Sequence, residues 1–307
     1  MTLKHISAAI GWIYVIGWGV ANYPTVISNA QLKSVQGISI DYMYFNTMGF
    51  ILYTLYTYMM WGSSVVKQEF FEENGEWPLV RLNDVVFGAH NLFTNLIILS
   101  QAYFWGFKKN DNQKLSSTAK FIISLVLFYL LGGSYYIYSK QGFEPVANCF
   151  NWMHLFTSLG LVKIGMSICK NIPQIMYNYN RKSTHGWPIL MIWLDFFGAF
   201  LSVVQLLLDA YMVNDLMAIF DNKPKFFLAV QVIIADFIFF IQHYYLYYNS
   251  DVEQYGPFKA DNISGYASIV EVDENFMIEH EHDHDHVLNV ECSTTANKDK
   301  LQRLIPE

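Results

Sequence analysis

Charge is what this chain has least of: 15% of its 307 residues are charged, against roughly 25% in an average soluble domain, while 53% are hydrophobic and 17% aromatic. A body of this size with so little charge cannot hide its apolar surface from water, which argues against a soluble globular protein. Cysteine is also sparse. Cys149, Cys169 and Cys292 form no CxxC pair and none of the spacing that a disulfide framework or zinc site needs, so redox chemistry and a structural metal are unsupported. No basic patch exists to meet nucleic acid. The net charge of −7 comes mostly from the last sixty or so residues, where acids alternate with histidine. A clean signal core with a small-residue cleavage site is missing too, so the apolar segment after His5 is read as a retained first helix.

What the chain does have is long apolar stretches. A helix needs about 20 mainly apolar residues to cross a hydrocarbon layer about 30 Å thick. Seven windows qualify, at about Ile6–Ile27, Ile40–Trp61, Val85–Phe107, Phe121–Tyr138, Val146–Tyr177, Pro188–Val213 and Phe226–Tyr248. The fifth carries Asn151, His154, Lys163 and Lys170, and holds as a span only if those groups face protein or water. Lys108, Lys109, Lys114, Arg181 and Lys182 fall on one side and Glu69, Glu72, Glu73 and Glu76 on the other, which predicts an N-terminus outside or in a lumen and a C-terminal tail in the cytosol.

An internal repeat organises these spans. Tyr23-Pro24-Thr25, Asn29, Lys33, Ser34, Gly37, Asn46 and Gly49 recur 149 positions later as Ile172-Pro173-Gln174, Asn178, Lys182, Ser183, Gly186, Asp195 and Gly198, with Pro, Asn, Lys, Ser and both glycines identical. Seven helices then resolve into two parallel three-helix bundles, residues 1–107 and 146–248, joined by a linker with the fourth helix at 108–145 and followed by a disordered tail at 249–307. Parallel repeats of this kind enclose a substrate between their halves near mid-membrane. Pro24 and Pro173, each removing a backbone hydrogen bond, read as matched hinges or, alternatively, as helix ends near the interface.

The second copy, Pro173 to Pro188 (PQIMYNYNRKSTHGWP) followed by Leu194-Asp195-Phe196-Phe197-Gly198, resembles the PQ-loop family and, within it, the cystinosin-like transporters. Leu82-Asn83-Asp84-Val85-Val86-Phe87 with His90, and the run from Asp236 to His243, resemble that family's third and last helices, so the likeness covers about residues 8 to 248. It implies an all-α PQ-loop or SWEET-like fold and export of cystine with a proton from the lysosome or vacuole to the cytosol, with Asp195 at the proton-coupling position. No enzyme activity and no cofactor follow from it; a proton gradient supplies the driving force. The chain departs from the family pattern at Thr25, where the motif has glutamine, and at Met191, where an asparagine is expected. A long luminal region before the first helix, present in animal members, is not expected here. Met191 leaves room for a carrier of cationic amino acids or sugars, and the fold also serves pH-dependent receptors that do not transport.

An ionisable group near the bilayer centre is costly and usually marks a functional pathway. Asp195 is the leading candidate to carry a proton, because it is neutral when protonated and can stay buried while the carrier reorients. Asp84 and Asp236 are second proton sites or partners of cations, and His90 is a candidate relay, as are His154 and His243, all three being equally readable as packing residues. Lys163 and Lys170, two helical turns apart, share one face and suit the carboxylates of a ligand such as cystine; the bland alternative pairs Lys163 with an aspartate and sends Lys170 to the interface. Gln174, Asn178 and Asn46 are candidates for its polar groups, and Trp18 for its body. The other tryptophans, and the tyrosines at helix ends, read as interfacial anchors.

In the tail, residues 279–286 alternate four histidines with four acids. Imidazole and carboxylate are metal ligands, but without fixed geometry the tract reads as a solvated run and no metal site is assigned. Gly265, Tyr266 and Ile269 fit a tyrosine-based sorting signal for adaptors. The expected partners are therefore a small amino acid, a proton, membrane lipid and sorting adaptors.

Overall fold

The computed structural model describes residues 3–146, 150–215, 217, 219 and 223–249. These are helical almost throughout. The elements are α1 (Leu3–Val20), α2 (Tyr23–Leu32), α3 (Ile40–Gly62), α4 (Ser64–Asn74), α5 (Leu82–Tyr103), α6 (Ser117–Gln141), α7 (Trp152–Arg181), α8 (Ile189–Met212) and α9 (Lys223–Ile241), the last running into a π-helical turn at Gln242–Leu246. Among the described residues, six helical segments are long and apolar enough to cross a membrane: α1 with α2, α5, α6, α7, α8 and Phe226–Leu246. The remaining expected span, α3, has 23 residues but carries Asp41, Asn46, Thr47, Thr54 and Thr57. It lies between α5 and α7; Asn46 donates to Asn95 of α5, Asp41 accepts from the Ser116 amide, and Thr47 and Thr57 donate to carbonyls of their own helix.

The two repeat prolines behave differently. Pro24 stands in the first turn of α2, where its lack of an amide donor is harmless, and the helix breaks at residues 21 and 22. Pro173 lies inside α7, which runs on for 30 residues. Both rods nonetheless end alike. Lys33 (φ 46°) and Lys182 (φ 52°) take the left-handed conformation, and each gives its backbone N–H to the carbonyl of the asparagine four residues back, Asn29 or Asn178.

Pairing of the halves is reciprocal. The first rod of the first half (α1) packs on the second helix of the other (α8), and α3 packs on α7. The linker helix α6 touches α3 and α7 and is otherwise exposed. The short helix α4, unforeseen in the sequence, lies across the start of α7. Its Glu69 is fully buried and accepts hydrogen bonds from the Met153 amide (2.8 Å), Gln141 Nε2 (2.7 Å) and the Val146 amide (3.4 Å), so a carboxylate caps the positive end of a 30-residue helix.

Candidate functional site

Between the halves lies a chamber of about 210 Å³. Lys163, Ser167 and Lys170 reach it from α7 at spacings that keep them on one helix face; Met191 and Asp195 come from α8, one turn apart. Trp18 and Asn22 enter from the first rod, Tyr42, Asn46, Phe50 and Tyr53 from α3, and Phe87 and Asn91 from α5. Five of the sequence candidates therefore meet here: Asp195, Lys163, Lys170, Asn46 and Trp18.

Neither lysine lies within ion-pairing distance of a described carboxylate; the single ion pair among the described residues is Glu73 with His154 (3.1 Å). Lys170 points its ammonium at the Tyr42 ring (5.4 Å to the centroid), and Lys163 stands over the rings of Tyr53 (5.3 Å) and Phe50 (5.9 Å). Cations held by ring faces rather than by acids stay available to an incoming carboxylate. The alternative in which Lys163 pairs with an aspartate and Lys170 reaches the interface does not describe this arrangement.

Trp18 seats Asp195. Its indole Nε1 donates to the Asp195 carbonyl (3.3 Å), and a Cβ at Gly198 would sit 2.5 Å from that nitrogen, so the repeat glycine makes room for the indole. Behind Asp195, Asp236 is 2% exposed, within electrostatic reach of both Asp195 and Lys170, and its Oδ2 has no hydrogen-bond partner. In the first half the corresponding place holds an amide pair, Asn46 Nδ2 donating to Asn95 Oδ1 at 2.6 Å.

Gln174 and Asn178 lie outside the chamber lining and form a clasp at one end of it. Gln174 accepts from the Ser39 amide at the start of α3 (2.7 Å) and donates to the Gly37 carbonyl (3.0 Å) and to Asn178 Oδ1 (2.9 Å). Asn178 donates to Gln242 Oε1 (3.1 Å), and Gln242 Nε2 donates to the Ile175 carbonyl (3.0 Å). The first half repeats this with Asn29, Gln101 and the Val26 carbonyl (2.8 and 2.9 Å). Beside the clasp the two loops meet backbone to backbone: a Cβ on Gly37 would fall 2.0 Å from the carbonyl carbon of Gly186.

The remaining candidates are dispersed. Asp84 lines a second pocket of about 400 Å³ beyond Tyr53, and its Oδ2 accepts from the Arg81 amide (2.8 Å) as a cap of α5. His90 meets the Tyr23 hydroxyl (3.0 Å) at an exposed position, and His243 meets Thr184 (2.8 Å). Pro24 is buried beside the chamber residues Ala21 and Asn22, and Pro173 borders a pocket on the clasp side. Gly265, Tyr266, Ile269, the histidine tract and nearly all of the 249–307 tail lie outside the described residues.

Sequence reasoning missed Asn22, Asn91, Gln101 and Gln242. Asn22 donates to Asn91 Oδ1 (3.1 Å) and its repeat partner is Asn171, which a longer reading of the 149-residue register would have exposed. Gln101 and Gln242 obey another offset, 141, because the loops before α5 and α9 differ in length.

Comparison with known proteins matches the PQ loop repeat at residues 6–61 and 155–215, the two segments that contribute α1 to α3 and α7 to α8. A cystinosin homolog of Caenorhabditis elegans is 35% identical over 262 residues, 85% of this chain and 62% of its own, so the chain spans about three-fifths of that relative's length. A cystinosin homolog of Dictyostelium discoideum is 30% identical over 85% of this chain and 88% of its own. A cystine transporter of Saccharomyces cerevisiae is 30% identical over 78% of this chain and 94% of its own.

Proposed function

This chain belongs to the PQ-loop family, and we propose that it carries cystine with a proton from the lumen of a lysosome or vacuole to the cytosol. The observation that carries the reading is the chamber itself, where Lys163 and Lys170 face a common space with Asp195 between two pseudo-equivalent bundles. Cystine bears two carboxylates and two ammonium groups. The lysines complement the former, and Asp195 with the side-chain oxygens of Asn22, Asn46 and Asn91 the latter. The relatives named cystinosin and cystine transporter support the same substrate. Two lysines without a carboxylate partner also disfavour a cationic amino acid by like-charge repulsion, and a sugar would leave their charge unmatched.

Asp195 and Asp236 supply the proton step. Two carboxyls in electrostatic contact inside the bundle repel one another when both are charged, and one proton relieves that repulsion. With the clasp side facing the cytosol, the bundle is closed there and substrate enters from the side of Asp84. The test is counterflow in proteoliposomes loaded with cystine, lysine, arginine or glucose: cystine alone should exchange. Exchange of lysine or glucose at the same rate would replace cystine as substrate, and saturable binding with no exchange would make this a receptor.

A further inference from the structure

The chamber and the outer pocket that holds Asp84, Glu76 and Trp77 share one lining residue among those described, Tyr53. Toward the clasp the chamber is shut by backbone against backbone at Gly37 and Gly186 and by the Gln174 and Gln242 hydrogen bonds. Toward Asp84 the Tyr53 side chain lines both spaces. Its seat is specific. The Tyr53 ring lies against Gly88, where any Cβ would come within 3.1 Å of its Cδ1, and it meets Phe87 edge-on at 6.2 Å. The Lys163 ammonium stands over its face at 5.3 Å.

We propose that Tyr53 is the gate of the chamber on the Asp84 side and that Lys163 holds it shut through its cation–π contact. A ligand carboxylate that pairs with Lys163 draws the ammonium off the ring, so occupancy of the chamber is transmitted to the gate by a residue that touches both. On the clasp side Lys170 stands over Tyr42 in a similar way, but there the chamber is also closed by the Gly37–Gly186 backbone contact and the Gln174 amide, which the ring contact does not control. The direction in which the gate faces rests on the transport reading above; its existence does not.

The experiment is thiol accessibility in a cysteine-free background carrying Ser167→Cys, labelled in proteoliposomes of defined sidedness with a membrane-impermeant maleimide applied from the Asp84 side. Tyr53→Ala should raise the labelling rate about tenfold, the effect expected for losing one edge-to-face and one cation–π contact. Tyr53→Phe keeps the ring and should label at the parent rate. Lys163→Met, which leaves the ring but removes its cation, should fall between, and it serves if Tyr53→Ala is not recovered as a monodisperse protein. Equal rates in Tyr53→Ala and the parent, or in Lys163→Met and the parent, overturn the gate. Faster labelling with no cystine exchange in any protein would remove the transport reading and leave the gate standing.

Discussion

Thr25 and Met191, where the resemblance led us to expect glutamine and asparagine, touch each other. Thr25 donates to the Met191 sulfur at 3.2 Å, both are buried, and the Tyr42 hydroxyl approaches the same sulfur at 3.8 Å. Tyr42 and Met191 are repeat partners, so the contact lies on the pseudo-twofold relationship between the halves. The two positions share one packing site. Installing either family residue alone, as Thr25→Gln or Met191→Asn, brings an amide into a site shaped for a hydroxyl and a thioether, and each should lower stability by about 1–3 kcal/mol. The double variant should recover part of that loss. Thermal unfolding of the four proteins in detergent gives the coupling, and strict additivity would deny it.

Replacing Asp195 by Asn reproduces in the second half the amide found at Asn46. Uptake driven by a pH gradient should then fall to the level of empty vesicles, while cystine exchange at equal pH on both sides persists. Asp236→Asn should leave exchange intact with a weaker dependence on pH. Gradient-driven flux that survives in Asp195→Asn would assign the proton to another group.

In both halves an asparagine donates to a glutamine that donates in turn to a helix carbonyl, so removing either glutamine should cost a similar amount, while only Asn178 has a second partner in Gln174. Gln101→Ala strands the Asn29 side-chain amide, and Gln242→Ala strands that of Asn178. Each should destabilise by about 1–3 kcal/mol, the range for a buried polar group left unpaired. Urea or thermal unfolding showing only one of the two to matter would break the equivalence.

Glu69 predicts a graded series. Glu69→Gln keeps an acceptor for the Met153 amide and should be mild, whereas Glu69→Ala abandons three donors and the helix-end charge, for about 3 kcal/mol. Hydrogen exchange at residues 153–156 localises the effect: protection there should fall first in the Ala variant.

Gly186 joins left-handed geometry (φ 76°) to the contact with Gly37. Gly186→Ala should therefore lower stability by about 1–2 kcal/mol from the backbone alone, and Gly37→Ala should act by steric overlap instead. The readout is the melting temperature together with labelling of a chamber cysteine from the clasp side, which should rise in Gly37→Ala.

The long apolar windows located the spans because hydropathy is read residue by residue, and the 149-residue register located the halves because identities at one offset survive without knowledge of contacts. Asp195, Lys163 and Lys170 were legible for a related reason: charge within an apolar window requires a cavity. Gln174 and Asn178 were placed with the substrate because polarity in a helix says nothing of depth along it, and only the contacts with Ser39 and Gly37 reveal a clasp. Pro24 and Pro173 look alike in sequence, yet one stands in the first turn of a new helix and the other inside a continuous one. Tyr53 carried no signal at all, being one of 21 tyrosines.

The crosswise pairing of α1 with α8 and of α3 with α7 bears on how the protein is made. When the ribosome has delivered the first four spans, the faces that α1 and α3 will use on α8 and α7 have no partner, and Ser7 of α1 still lacks Asp209 and Gln205. Neither half is therefore a self-sufficient folding unit, and a chain interrupted after α6 should be recognised and degraded rather than stored. The linker helix, laid against α3 before α7 arrives, is the one element in position to shelter that face during the wait.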